Sequence, residues 1–292
     1  MVMMGIMAWS TPFAWAESGD ALANSAQNPF QVGISAFEQG DYQRAAEAFT
    51  KAIERTPQSA GAYSNRCLAY LSLDNTQAAI ADCTSAIEIE PRNPESYLNR
   101  GLAHYRLEQY AEAIADYNQL LTIQPYDYRA HYNRGLAQFA LGEYRQALID
   151  YGEALRQIQP LDWNTMAVVH NDRGLAQFQL ANYQAALNDF SRTIQLNATD
   201  VRAYFNRACV YHHRGDNSLA LQDFTQVIRL VPEHAEAYLN RGLIYQQLGN
   251  RTAAIADLQQ ASHYFQSQGA TISYQTTLNF LKRLQSNHIA WG

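Results

Sequence analysis

The chain has 292 residues, 47% of them hydrophobic, with a formal net charge of -6 at pH 7, which is enough apolar material for a substantial core. The acidic balance, with no cluster of Lys and Arg, argues against a phosphate-backbone binder, because affinity for nucleic acid at cellular salt comes largely from clustered cations. The three cysteines, Cys67, Cys83 and Cys209, cannot form a closed set of disulfides and show no CxxC or C-x-x-H zinc spacing, so they read as small buried hydrophobes.

The first sixteen residues, MVMMGIMAWSTPFAWA, are almost wholly apolar and end in Ala14-Trp15-Ala16. That pattern matches the hydrophobic region and cleavage site of a secretory signal peptide, and it is too short to span a membrane comfortably. A basic n-region is missing, since no Lys or Arg precedes Arg44. Residues 1–25 therefore read as leader and linker. Export to a periplasmic, lumenal or secreted location is expected if the leader functions, and a cytoplasmic location otherwise.

From residue 26 the chain repeats itself. Ala45, Ala79, Ala113 and Ala147 stand 34 residues apart, and Ala186, Ala220 and Ala254 resume that spacing after one gap of 39. Seven units follow, at 26–59, 60–93, 94–127, 128–161, 167–200, 201–234 and 235–268. The five extra residues, Asp162 to Met166, are expected to lengthen one connection. Each unit reads as two helices, as in AYSNRCLAYLSL and TQAAIADCTSAIEIE. GDY at 40–42 and GEY at 142–144 supply turns in which Gly permits positive φ. Pro57, Pro91, Pro125, Pro160 and Pro232 stop the second helix, while Ala198 stands at that place in the fifth unit. A helix pair of this length cannot bury its apolar face alone, so neighbours must stack and the end needs a cap. Within residues 269–292, the stretch 272–285 supplies one, with Ile272, Leu278, Leu281 and Leu284 expected close to one face.

In the third unit the repeat carries Tyr97, Arg100, Gly101, His104, Ala113, Tyr117, Leu120 and Pro125. Over residues 26–285 the chain resembles the tetratricopeptide repeat family, with Tyr at the family's Trp place and Arg at its Leu place. The resemblance implies an all-α fold, a right-handed superhelical solenoid of seven helix pairs with a C-terminal capping helix. It also implies a concave surface that binds a segment of another protein.

The triplet NRG recurs at 99–101, 133–135 and 240–242, with variants at 65–67, 172–174 and 206–208. At about 100° per residue, Arg100 lies roughly 60° from Tyr97 on the packing face, and Asn99 lies roughly 200° from it. An Arg beside a packing face needs a partner. An Asp stands sixteen residues on in every case: Arg66 with Asp82, Arg100 with Asp116, Arg134 with Asp150, Arg173 with Asp189, Arg207 with Asp223 and Arg241 with Asp257. In the first unit both are absent together, with Val32 and Ala48 in their places, which favours pairing within a repeat. These pairs read as structural, and anion binding by the Arg row is the alternative. The Gly admits close helix approach. The row Asn65, Asn99, Asn133, Asp172, Asn206 and Asn240 points away from the packing face, as do Leu102, Leu136, Leu175 and Leu243. Further along lie Phe37, Tyr105, Phe139, Phe178 and His212, and together these rows are expected to line a groove. Amides carry donors and acceptors, so an Asn ladder suits an extended peptide backbone. The family resemblance implies the same use, with Asp172 a departure. The alternative is that these side chains bond neighbouring helices or meet water.

Family members that clamp a chaperone's C-terminal carboxylates use two Lys, an Arg and two Asn. The corresponding places here hold Phe30, Ile34, Asn65, Glu95 and Asn99, so no such clamp is expected. No P-loop, G-x-G-x-x-G, HExxH or G-x-S-x-G pattern is present. His212-His213 diverges on a helix and reads as no metal site. Asn197-Ala198-Thr199 and Asn250-Arg251-Thr252 match the glycosylation sequon, which matters only on a eukaryotic secretory route. The leading expectation is a non-enzymatic adaptor without cofactor, metal, nucleic acid or small-molecule substrate. It would bind a protein or peptide partner, in the assembly of a larger complex. A self-associating structural protein is second, and an RNA-binding helical repeat third.

Overall fold

The computed structural model describes residues 28–286; the apolar leader lies outside them. Among the described residues the chain forms fifteen α-helices and no strand. Seven first helices are α1 (Pro29–Glu38), α3 (Ala60–Ser72), α5 (Pro94–Arg106), α7 (Tyr128–Ala140), α9 (Trp163–Gln179), α11 (Val201–Arg214) and α13 (Ala235–Gln247). Their second helices are α2 (Tyr42–Arg55), α4 (Thr76–Ile89), α6 (Tyr110–Ile123), α8 (Tyr144–Gln157), α10 (Tyr183–Leu196), α12 (Asn217–Leu230) and α14 (Arg251–Ser267), and α15 (Thr271–Ser286) follows. Along the chain, the described residues divide between Gln159 and Pro160 into two compact units, one with α1 to α8 and the other with α9 to α15.

Local chemistry sets the helix ends. Asn28, Ser59, Asn93, Asp127, Asp162 and Asp200 each accept a hydrogen bond from a backbone N–H in the first turn of the first helix that follows. Asp162 explains why four of the five extra residues lengthen the helix and only one the connection. It caps α9 through the Thr165 N–H, and the insertion becomes an added turn, making α9 17 residues long against 13 in α7. At the turn inside each pair, Gly40, Gly142, Gly215 and Gly249 take φ between 77° and 84°. Asp74, Glu108 and Ala181 adopt the same left-handed backbone without being glycine, at φ of 55° to 60°. The fifth pair ends without proline: α10 stops at Leu196, and Asn197 Oδ1 accepts from the Thr199 N–H and hydroxyl to shape the turn.

The core sits between the two helices of each pair. Ala45, Ala79, Ala113, Ala147, Ala186, Ala220 and Ala254 are all buried, beside large side chains such as Phe49, Tyr117, Tyr151, Phe190 and Phe224. The recurrent glycine faces the aromatic residue sixteen positions on. A Cβ on Gly33, Gly101, Gly135 or Gly174 would come within 2.5–2.8 Å of the ring of Phe49, Tyr117, Tyr151 or Phe190.

Two expectations are corrected here. Cys67 and Cys83 are not merely small buried hydrophobes: they form a disulfide across α3 and α4. Only Cys209 is free. In α15, Thr277 and Leu281 are buried, but Ile272 is 85% exposed. Nine residues separate Ile272 from Leu281, which places them about half a turn apart, on opposite sides of the helix.

Candidate functional site

The recurrent Arg of the first helix is fixed from three directions. Arg134 Nε donates to Asp150 Oδ2 at 2.7 Å and Nη2 donates to Oδ1 at 2.6 Å, a bidentate pair between α7 and α8. The pairs Arg66–Asp82, Arg100–Asp116, Arg173–Asp189, Arg207–Asp223 and Arg241–Asp257 close in the same way, each within its own repeat. The third nitrogen reaches back to the preceding second helix. Nη1 of Arg66, Arg100, Arg134, Arg207 and Arg241 donates to Thr50, Thr84, Asn118, Ser191 and Thr225. Those acceptors stand sixteen residues before the Arg, a regularity the sequence contains and the Arg–Asp reading overlooked.

Rings complete these clusters. Tyr63, Tyr97, Tyr204 and Tyr238 lie against the guanidinium of the Arg three residues on, at 5.6–5.8 Å. His131 and His170 stand at the same register and bond the carboxylates instead, with Nδ1 3.1 Å from Asp150 Oδ1 and 2.9 Å from Asp189 Oδ1. Burial pushes the Asp150 and Asp189 carboxyls up, but the neighbouring Arg and His more than offset this and hold both below the ordinary carboxylate range.

The rows expected to line a groove are graded from closed to open. Asn99, Asn133, Asp172 and Asn206 are buried, and Asn65 and Asn240 are half-buried. Asn206 Nδ2 donates to Asn171 Oδ1 on the neighbouring first helix at 3.1 Å, and Asn171 Nδ2 donates to Asp172 Oδ1. Asn240 Nδ2 turns back to the Glu236 carbonyl at 2.9 Å. The carbonyl oxygen of Asn99 has no hydrogen-bond partner among the described residues. Four of the six side chains are buried, and Asn206 bonds the adjacent first helix. Leu102, Leu136 and Leu175 are buried as well, and Leu243 is half-buried.

The accessible part of each row is its far end. Phe37, Tyr105, Phe139 and Phe178 are half-buried, each braced by the first residue of the following second helix. Ring centroids lie 5.0 Å apart for Phe37 and Tyr42, 5.4 Å for Tyr105 and Tyr110, 5.0 Å for Phe139 and Tyr144, and 5.9 Å for Phe178 and Tyr183. At the next register His212 Nδ1 lies 3.0 Å from Asn217 Oδ1. In residues 160–286, Tyr183 also lines a surface recess of about 650 Å3, with Gln177, Asn182, Gln184 and Arg214.

At the start of the first helices, Arg129 joins two carboxylates, with Nη2 2.7 Å from both Glu95 Oε1 and Asp127 Oδ2. Burial would lower its pKa, but the two carboxylates raise it. Glu95, at one of the places of the chaperone clamp, is thus already paired. Phe30 and Ile34, two further clamp places that do not match, are buried in the core. Among the described residues no group of three His, Cys, Asp or Glu could hold a metal ion, and no helix is long and apolar enough to cross a membrane.

Comparison with known proteins agrees with this architecture. The sequence pattern of the family described as "Tetratricopeptide repeat" matches residues 31–94, 68–128, 98–162 and 171–224. Related patterns, described as "TPR repeat" and "Tetratricopeptide repeat", match 209–249 and 236–265. Among solved structures, a tetratricopeptide repeat protein from Parabacteroides merdae is 22% identical, with a TM-score of 0.65 over 88% of this chain and 100% of that one. A chain of the APC/C hetero-tetramer Cut9-Hcn1 is 16% identical, with a TM-score of 0.63 over 88% of this chain; the match spans 48% of its own length, about half. YrrB, described as a TPR protein with an unusual peptide-binding site, is 23% identical, with a TM-score of 0.54 over 68% of this chain and 97% of its own. These likenesses are at the level of the fold, whereas the sequence patterns run through most of the repeats, and the chain belongs to the tetratricopeptide repeat family.

Proposed function

We propose that this chain is a non-enzymatic scaffold that holds a peptide segment of a partner protein against the first helices of its repeats. The observation that carries this reading is the register of Phe37, Tyr105 and Phe139 in residues 28–159: three half-exposed rings, each braced by a Tyr of the following helix. Rings already held in place lose little entropy when a partner covers them, and aromatic anchors dominate many protein interfaces. The half-buried Asn65 adds an amide for a peptide backbone. The buried asparagines position the row and do not themselves meet the ligand. The six recurrent Arg–Asp pairs are taken up in helix packing. Proteins of this fold bind proteins and peptides, and structures of similar fold include a chain of a hetero-tetramer and a peptide-binding protein. That background supports a role in assembling a larger complex.

The test compares co-purified partners of the native protein with those of two variants. Tyr105→Ala/Phe139→Ala should lose partners by at least tenfold in quantitative mass spectrometry while keeping its helical signal. Asn99→Ala/Asn133→Ala/Asn206→Ala should lose them only in proportion to its loss of folded protein. Identical partner lists for the native chain and a folded Tyr105→Ala/Phe139→Ala variant would end this reading.

A further inference from the structure

Cys67 and Cys83 stand sixteen residues apart, the spacing of Gly101 and Tyr117, of Gly135 and Tyr151, and of Gly174 and Phe190. In those repeats the glycine is small because a ring fills the space facing it: a Cβ would come within 2.6–2.8 Å of the ring. Ring and glycine therefore require each other. The second repeat has neither, and its corresponding pair is a disulfide whose two residues are fully buried between α3 and α4.

We propose that the second repeat is completed covalently, in a compartment that supplies a disulfide donor, and that the bond is a permanent staple in place of the ring. Compartments rich in glutathione and thioredoxin keep thiols reduced, so a structural disulfide calls for an oxidising one. The apolar leader ending in Ala14-Trp15-Ala16 points to the same route by an independent feature. In the forming step, one cysteine thiolate attacks a donor disulfide, giving a mixed disulfide and releasing one donor thiol. The second cysteine thiolate then attacks the first cysteine's sulfur and releases the other donor thiol. The cysteines lose two electrons and two protons, and the donor is reduced to two thiols. Complete burial makes the bond a staple and not a relay, because an incoming thiolate has no path to either sulfur until the repeat opens. Cys209 is a poor competitor for exchange, since burial pushes its thiol up to about 11 and so keeps it largely protonated at neutral pH.

The test is made on the full chain, leader included, in cells quenched with acid and alkylated with N-ethylmaleimide before digestion and mass spectrometry. The expected result is a linked Cys67–Cys83 peptide with Cys209 alkylated; alkylation of both Cys67 and Cys83 would overturn the compartment. With purified protein, dithiothreitol should cut the bond at least about a hundredfold faster in denaturing urea than in native buffer, since native cutting waits on local opening. Equal rates would overturn the staple. Cys67→Gly/Cys83→Tyr rebuilds the pair used by the other repeats. Its urea midpoint should be the same with and without reductant, while that of the native chain falls on reduction. A native midpoint unmoved by complete reduction would show that the bond does not complete the repeat.

Discussion

Replacing Arg134 with Ala tests the packing logic most directly, because the loss can be worked out bond by bond. The guanidinium makes two bonds to Asp150, at 2.7 and 2.6 Å, and one to Asn118 at 2.6 Å. Asp150 is 2% exposed, so in the variant its carboxylate stays out of water with only His131 beside it. Breaking a buried pair from one side costs about 3–5 kcal/mol. The Arg134 side chain itself is 22% exposed and His131 remains, which brings the expected loss to about 2–4 kcal/mol. At an m-value of about 2 kcal/mol per molar urea, the midpoint followed by far-ultraviolet circular dichroism should fall by about 1–2 M.

The pH dependence carries its own sign. In the native chain the Asp150 carboxyl is held below its ordinary value, so the pair stabilises at pH above about 4 and that contribution is lost as pH falls through the folded value. Without Arg134 burial prevails, and the carboxyl moves up instead of down. The variant then gains relative stability as acid protonates Asp150, so the gap between native and variant should narrow toward low pH. Arg134→Met/Asp150→Leu, which removes both charges, should recover most of the loss. A midpoint shift under about 0.3 M (about 0.6 kcal/mol) at neutral pH, or a gap that widens in acid, would refute this account of the pair.

Two further outcomes follow from the core. Gly101→Leu should destabilise by about 1–3 kcal/mol, since the Cβ position already lies 2.6 Å from Tyr117. Adding Tyr117→Leu should return part of that loss in a double-mutant cycle of urea midpoints; a fully additive cycle would show that ring and glycine do not interact. Burial pushes the Cys209 thiol up to about 11, so at pH 8 iodoacetamide should label it far more slowly in native buffer than in urea, as read by intact mass.

Much of this fold is legible in the sequence because its contacts have a constant stride. Arg and Asp sixteen apart meet, as do Gly and aromatic sixteen apart, and the antiparallel pair follows from that spacing closing to five at the turn between Tyr105 and Tyr110. The disulfide shares the same stride, but a buried thiol and a buried cystine look alike to a count of three cysteines. The Asn row shows a different limit. A helical wheel gives direction relative to the residue's own helix and says nothing of the neighbouring first helices: Asn206 bonds Asn171 on one of them and Asn99 is buried, while Tyr105 stays half open. The insertion before α9 reads as a longer connection but folds as helix for a local reason: the cap at Asp162 decides between the two, and its bond to Thr165 is visible only in three dimensions.

The Arg that reaches forward sixteen residues to an Asp and backward sixteen to a Thr, Ser or Asn makes the chain a sentence with a rule of agreement. Thr50, Arg66 and Asp82 obey it, as do Thr84, Arg100 and Asp116. The second, third and sixth units thus each carry both the plug for the unit before and the socket for the unit after. A duplicated copy of residues 94–127 would bring Asn118 to receive its own second Arg100, so the array can lengthen by copying without inventing a new joint. Deleting part of a unit breaks agreement on both sides at once, and whole repeats become the natural currency of change.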